Sequence, residues 1–506
     1  MRLAALALAW LFSGTALAAE TPWPTDGWQT STPEEEGLSS GALADLVDAV
    51  GLRKQDSLLV VRHGHLVLEV YYAPYRAGIP HDLRSVTKSV VGTLTAIAIT
   101  DGALDSTQHK VLDLFADKSI ANVDDNKKAM TVQTLLDMTS GIAWREQNYT
   151  RDETIMQMFE APDRTAFVLD QPMADPPGSK FYYDGGNPYL LSAIISRKTG
   201  QNAWDYGREK LFRPLGILTE RWRAPDRQGV TDGQAGLALD PRDMLKIGYL
   251  YLHNGEWNGK QLIAADWVQH AEAGPVPATF GLHYGNLWWS LPEKGAVMAL
   301  GRHSQRIMVL PKYDIVVAMT GYMPDDEFYP AGRLVNQVVA AVRSDGALPP
   351  DPVAQSALAA SLQQAATEKP IGIGQTSELA SAISGRTYRF AGATTGPRSM
   401  TLHLVGEDPS WAAAYDAPDG VRYYSSGPIG LDGRFGKSAL PQYGLSAVRG
   451  RWVASDQFEI ERRILGHSET QRWLLTFHGD DLDLHYSDTD GTVAHFVGTA
   501  VSSRQP

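Results

Sequence analysis

Ser85-Val86-Thr87-Lys88, opening the run Ser89-Val90-Val91-Gly92-Thr93-Leu94-Thr95-Ala96-Ile97-Ala98-Ile99, is the stretch on which the reading of this chain turns. The apolar run, closed near Gly102, predicts a buried helix with Ser85 at its start. Residues three apart on a helix share a face, so Ser85 and Lys88 point the same way. At a helix start, unpaired backbone N–H groups and the helix dipole favour developing negative charge. A serine hydroxyl is a weak nucleophile and needs a neighbouring base, and apolar surroundings favour the neutral, basic form of a lysine. Chance alone supplies about one or two S-x-x-K matches in a chain this long. The motif alone therefore leaves open a capping serine whose lysine points to solvent.

Two further segments sharpen this. Pro177-Gly178-Ser179-Lys180-Phe181-Tyr182-Tyr183-Asp184-Gly185-Gly186-Asn187 is a Pro-Gly turn leading to paired tyrosines and a helix-like stretch from Leu190 to Arg197. A tyrosine beside an ammonium can relay a proton to a leaving group, although such tyrosines also serve simply as core. Leu300-Gly301-Arg302-His303-Ser304-Gln305-Arg306 precedes two strands, Ile307 to Leu310 and Ile315 to Thr320, turning at Pro311-Lys312-Tyr313-Asp314. The edge of the first strand offers a backbone N–H for an oxyanion, and Arg302, Arg306 or His303 offers a partner for an anionic group.

In this order the three segments resemble the serine β-lactamase and penicillin-binding-protein superfamily. The nearest branch is the class C β-lactamase-related one, with its esterases and 6-aminohexanoate-oligomer hydrolases. Thr131 to Gly141, Asp240 to Met244, Gly255 to Lys260 and Tyr284 to Trp289 look like the same family. The resemblance spans roughly residues 33 to 343. It implies an α+β fold: a β-lactamase/transpeptidase-like antiparallel sheet flanked by helices, plus a mostly helical subdomain. It also implies catalytic roles for Ser85 as nucleophile, Lys88 as base and Tyr183 as proton carrier.

The chain departs from the family pattern in two places. Gly185 occupies the asparagine place of the Tyr-x-Asn element, with Asn187 two residues further on as a substitute. At the third element, anchoring on Gln305 puts Arg302 in the cationic place and Ser304 in the glycine place. The oxyanion donors are then the N–H groups of Ser85 and Gln305. Placing His303 in the cationic position instead slips the register by one and turns every side chain to the opposite face.

The rest of the chain frames these segments. Met1-Arg2, the apolar run Leu3 to Phe12 and Ala16-Leu17-Ala18-Ala19-Glu20 have the pattern of a cleavable signal peptide over 1–19, too short to span a bilayer. A periplasmic or secreted protein without a stable membrane anchor is expected. Leu58 to Arg62 and Leu66 to Tyr72 read as a hairpin about His63-Gly64-His65, whose histidines suit a polar turn better than a metal. Residues 344–375 read as a linker, rich in proline around Pro349-Pro350-Asp351-Pro352, plus a helix from Val353 to Glu368. Residues 376–506 show period-two strands with frequent turns, an all-β barrel or sandwich module.

Composition removes whole classes of function. The 506 residues hold no cysteine, which excludes disulfides, thiolate metal sites and a cysteine nucleophile. A formal net charge of −13 argues against nucleic acid as a partner. No cofactor or metal is expected. The expected enzyme is an exported serine hydrolase forming an acyl-enzyme with small esters or amides. The alternatives are a β-lactamase or D-Ala-D-Ala carboxypeptidase and, from another class, a periplasmic binding protein without turnover. Trp144, Tyr149, Trp222 and Trp288 are candidates for an aromatic-lined cleft. Oligomeric state and the role of the β-module are left open.

Overall fold

Along β2 (Gln55–Arg62) every side chain is buried, yet the chain still alternates between two apolar clusters. Leu59 and Val61 enter one, and Leu58 and Val60 enter the other. A strand buried on both faces must lie inside a layered fold rather than at its edge, and so it does in this computed structural model. The structure describes residues 22–324, 327, 330–391, 396–416, 422–440 and 444–501, so the expected signal segment lies outside the described residues.

β2 joins β3 (His65–Tyr71) through His63 and Gly64, both with positive φ, the requirement of a two-residue hairpin turn that follows strand twist. With β1 (Gln29–Thr30), β4 (Val276–Pro277), β5 (His283–Gly285), β6 (Trp288–Leu291), β7 (Ala296–Gly301), β8 (Gln305–Leu310) and β9 (Ile315–Gly321) they form a nine-stranded sheet. Its order is β1-β3-β2-β9-β8-β7-β6-β5-β4. The pairings are antiparallel except at one edge, where β1 runs parallel to β3 and makes the sheet mixed.

Helices cover both faces. On one lie α1 (Ser40–Gly51), α7 (Ala331–Ala341) and α8 (Pro352–Ala366), with Leu46, Val335 and Leu358 in a shared cluster. α8, within the segment expected as linker and helix, packs along α1. On the other face lie α2 (Val86–Thr100), α3 (Val132–Leu136), α4 (Gly186–Thr199), α5 (Pro241–Leu252) and α6 (Ala265–Ala273), sharing a larger cluster that includes Val90, Leu190, Leu245 and Val268. Gly92 lets α2 approach the chain closely: a Cβ there would stand 2.6 Å from the Asn286 carbonyl oxygen.

The C-terminal module is a ten-stranded antiparallel sheet. Its strands are β10 (Thr387–Phe390), β11 (Pro397–His403), β12 (Ser410–Asp416), β13 (Arg422–Pro428), β14 (Gly436–Leu440), β15 (Gly444–Trp452), β16 (Gln457–Leu465), β17 (Thr470–His478), β18 (Asp481–Asp488) and β19 (Val493–Ala500). The order β13-β12-β11-β10-β19-β18-β17-β16-β15-β14 curls until its edge strands meet in a near-barrel around Trp411, Phe458 and Trp473. The module is docked on the nine-stranded sheet and its helices. Tyr75 and Ile79 share an apolar cluster with Ala447 and Leu465, and the Asp82 N–H donates to the Gly466 carbonyl at 2.7 Å.

Candidate active site

Ser85 stands at the N-terminal cap of α2, one residue after Arg84, whose φ of 50° lies in the left-handed region. Its side chain makes no capping bond to the helix. Instead the Lys88 Nζ donates to the Ser85 Oγ at 3.0 Å and to the Gln234 carbonyl at 2.9 Å. Lys88 is 1% exposed, so its amine is held on these oxygens rather than in water. The Ser89 hydroxyl donates to the Leu287 carbonyl at 2.7 Å, fixing the first turn of α2 against the strand region. The lysine that the motif alone left free to face solvent is turned inward.

Tyr183 precedes α4 and comes to the same place. The Lys88 Nζ lies 4.9 Å from its ring centroid, and the ring stacks on Trp289 at 5.8 Å. Phe181 and Tyr284 pack edge-on or tilted against Trp289 and each other. The aromatic wall is thus built from Trp289 rather than its neighbour. Trp288 is fully buried against Tyr251, and Trp222 is buried with its Nε1–H donated to the Asp232 carbonyl at 3.0 Å. Trp144 is buried with its Nε1–H on Glu146, while Tyr149 is partly exposed.

Gly185 and Asn187 diverge from the expected arrangement. Asn187 is completely buried in the first turn of α4, its Nδ2 donating to the Met138 Sδ at 3.6 Å, so its amide is not presented to the cleft. At Gly185 a Cβ would lie 2.7 Å from the Glu146 Oε2, and the Gly185 N–H donates to that oxygen at 2.7 Å. A carboxylate therefore fills the space at Gly185, the position where the family pattern has an amide. The loop that delivers it is tied down by Glu153, which accepts from the N–H groups of Gln147, Asn148 and Tyr149 at 2.8–3.1 Å. Between them lies Asp184, whose carboxyl is pushed well above its usual range by burial and by the Glu146 charge.

The third element lies directly against the nucleophile. A Cβ on Gly301 would stand 2.4 Å from the Leu83 carbonyl oxygen and 3.3 Å from the Ser85 nitrogen, so only glycine permits this approach. His303 and Ser304 both have positive φ, 63° and 84°, bending the chain before β8 begins. Arg302 is left on the cleft side with its guanidinium 5.0 Å from the Tyr149 ring centroid, a cation–π distance. The His303 ring is buried, its Nδ1 2.7 Å from the Met323 carbonyl. The Gln305 side chain is also buried, donating to the Gly321 carbonyl at 2.7 Å, which locks β8 to β9. Ser304 and Arg306 are buried beside it.

Two residues of the β-module join the site, and nothing local in the sequence marks them. Asp490, in the turn from β18 to β19, places Oδ1 2.7 Å from the His303 Nε2 and 3.2 Å from an Arg302 Nη. Ser468 accepts from the Arg84 Nε at 2.9 Å. A separate hollow of about 330 Å³ beside Trp28, Tyr71 and Arg242 shares no lining residue with this site.

Comparison with known proteins gives the family. Residues 43–322, more than half of the chain, match the family described as Beta-lactamase. A 6-aminohexanoate-dimer hydrolase of Paenarthrobacter ureafaciens is 24% identical over 323 residues, 59% of this chain and 81% of its own. Among solved structures, EstCE1, a hydrolase with promiscuous acyltransferase activity, superposes with a TM-score of 0.51 at 16% identity, covering 60% of this chain and 99% of its own. A penicillin-binding-protein homologue from Caulobacter crescentus gives 0.50 at 17%, covering 61% and 97%. With Ser85 and Lys88 joined at the head of α2 inside the matched span, the chain belongs to the beta-lactamase family of hydrolases.

Proposed function

We propose that this hydrolase works by serine acyl transfer on small esters or amides. The observation that carries the reading is the buried Lys88 Nζ at 3.0 Å from the Ser85 Oγ. Ser85 attacks the substrate carbonyl carbon as Lys88 takes its proton, giving a tetrahedral oxyanion. The N–H groups of Ser85 and Gln305 hold that oxyanion. Tyr183, against both Lys88 and Trp289, passes a proton to the leaving alcohol or amine as the carbonyl–heteroatom bond breaks. Water then attacks the acyl-enzyme, and Ser85 recovers its proton. The segment of Arg302, His303 and Ser304 borders the substrate site beside the nucleophile, with Arg302 its partly exposed side chain. Asn187, buried in the first turn of α4, ties that turn to Met138.

The N-terminal segment supports export to the periplasm or beyond, with a mature chain starting at or near Glu20. N-terminal sequencing of secreted material checks that.

A p-nitrophenyl ester, assayed on the wild type and on Ser85→Ala, tests the chemistry. Loss of hydrolysis together with labelling of Ser85 by a serine-directed phosphonate is expected. Undiminished hydrolysis by Ser85→Ala overturns the reading. Acylated protein without product release identifies a binding protein that has kept the fold. The pairing of Arg302 with Asp490 favours esters and amides over β-lactams and D-Ala-D-Ala peptides, which bring a carboxylate.

A further inference from the structure

The turn that carries Asp490 is built to hold its shape. The Asp488 carboxylate accepts from the N–H groups of Asp490 and Thr492 at 3.0 and 2.9 Å, and the Thr489 hydroxyl donates to the Ser468 carbonyl at 2.9 Å. Ser468, wholly buried, in turn accepts from the Arg84 guanidinium. The two turns of the module are thereby fastened to each other and to the residue preceding the nucleophile.

From this platform Asp490 meets three basic side chains at once. Its Oδ1 contacts His303 and Arg302, and its Oδ2 lies 3.5 Å from an Arg84 Nη. Asp82 also faces Arg84, at 3.7 Å, and His467 faces Asp82 at 3.4 Å. Burial works against ionisation of Asp490, but the His303 hydrogen bond and the charges of Arg84, His303 and Arg302 outweigh it and hold the carboxyl well below its ordinary range. These groups therefore favour the anion of Asp490. Its side chain is 30% exposed and that of Arg302 is 25% exposed, so the pair is open to solvent instead of sealed. Arg302 follows Gly301, which packs against the Ser85 nitrogen, and its guanidinium lies 5.0 Å from the Tyr149 ring centroid.

We infer that Asp490 is a specificity-determining residue supplied by the β-module: it occupies the place at Arg302 and His303 that a substrate carboxylate would take, so the site selects acyl substrates that lack one. A second carboxylate brought to this spot meets a fixed like charge at contact range, in surroundings drier than bulk water, where such juxtapositions are strongly unfavourable. The module is accordingly a wall of the substrate site. This inference rests on the acyl-enzyme reading above and names its substrate class.

The test uses the full-length chain and two matched substrate pairs. In one pair, 4-(butyryloxy)benzoate and its methyl ester differ by a carboxylate on the leaving group. In the other, p-nitrophenyl hydrogen succinate and p-nitrophenyl butyrate differ by one on the acyl group. The readout is the ratio of kcat/KM, charged over neutral. Asp490→Asn, which keeps the shape and hydrogen-bonding capacity, is expected to raise that ratio about tenfold or more in at least one pair. Asp490→Glu, which keeps the charge, should leave it low. An unchanged ratio in both pairs for Asp490→Asn overturns the inference.

A second measurement needs no variant. Wild-type Ser85 should react about tenfold more slowly with a carboxylate-bearing aryl phosphonate than with its methyl ester. Equal rates overturn the inference. Ser85→Ala, assayed on the butyrate ester, separates the two claims. If that variant is inactive while the ratios do not respond to Asp490→Asn, the hydrolase reading stands and only the role of Asp490 falls. If it is fully active, the hydrolase reading itself falls.

Discussion

Arg463 of β16 donates from Nη2 to the Asp56 Oδ1 of β2 at 2.5 Å, with both side chains buried. The other oxygen of Asp56 meets the His81 Nε2 at 3.0 Å, and the Arg463 guanidinium covers the Tyr322 ring at 3.5 Å. The β-module is therefore held to an inner strand of the hydrolase sheet by a desolvated charge pair. Such a pair adds little net stability over an apolar equivalent, but leaving one member alone is costly.

Arg463→Met should lower stability by about 3–5 kcal/mol. Asp56→Asn/Arg463→Met should lose less than the two single variants added together, as thermal melts or urea titrations will read. Burial opposes ionisation of Asp56, but Arg463 and His81 prevail and hold its carboxyl below the usual range. The folded chain thus binds the proton less readily than the unfolded one. The contribution is present at neutral pH and lost as pH falls through the acid range below about 4.

Trp288 and Trp289 should separate cleanly on substitution. Trp288 is fully buried on Tyr251, so Trp288→Ala opens a cavity and should cost about 3–5 kcal/mol of stability. Trp289 stacks on Tyr183, which itself lies against Lys88. Trp289→Ala should lower kcat/KM on an ester about tenfold or more through misplacement of Tyr183, with a smaller fall in melting temperature. Steady-state kinetics beside a melting curve for each variant decides between these outcomes.

Local patterns carried the readable part of this protein. Ser85 and Lys88 declare themselves because three residues on a helix make one face. The strands of the sheet and of the β-module declare themselves by alternation. Alternation also explains the error over the tryptophans: adjacent residues of a strand face opposite sides, and Asn286 and Leu287, both at positive φ, decide which of the two turns inward. Nothing in local sequence announces positive φ at non-glycine residues, so the bend at His303 and Ser304 was equally hidden. Asp490 and Glu146 reach the site through tertiary packing alone. An acidic residue in a turn reads as solvated surface until the fold brings a guanidinium to it.

Gly185 offers a direct test of the Glu146 arrangement. A methyl group at Gly185 would press on the Glu146 Oε2 at 2.7 Å and on the Ile155 side chain at 3.0 Å. Gly185→Ala should therefore displace the carboxylate and cost about 1–3 kcal/mol. In a Glu146→Ala background the same substitution should cost less. The difference, read as a coupling energy from melts and from kcat/KM, measures how far Glu146 fills the space at Gly185.

Asp184 should give the chain a stability slope opposite in sign to that from Asp56. Burial and the neighbouring Glu146 raise its carboxyl well above the usual value, against weaker opposition from the Gly186 and Asn187 N–H groups and from Lys88. The folded state keeps a proton here that the unfolded chain releases above about pH 4. Unfolded chains then bind fewer protons than folded ones, and stability falls as pH rises from that point until the folded group itself ionises. One proton sets the upper limit of the slope at about 1.4 kcal/mol per pH unit. Asp184→Asn copies the protonated acid and keeps an oxygen for the Gly186 N–H, which donates to Oδ1 at 2.6 Å. The variant should match the wild type near pH 4 and exceed it increasingly toward pH 8, when urea midpoints are compared across that range. Parallel curves for the two proteins would mean that Asp184 is ionised in the fold.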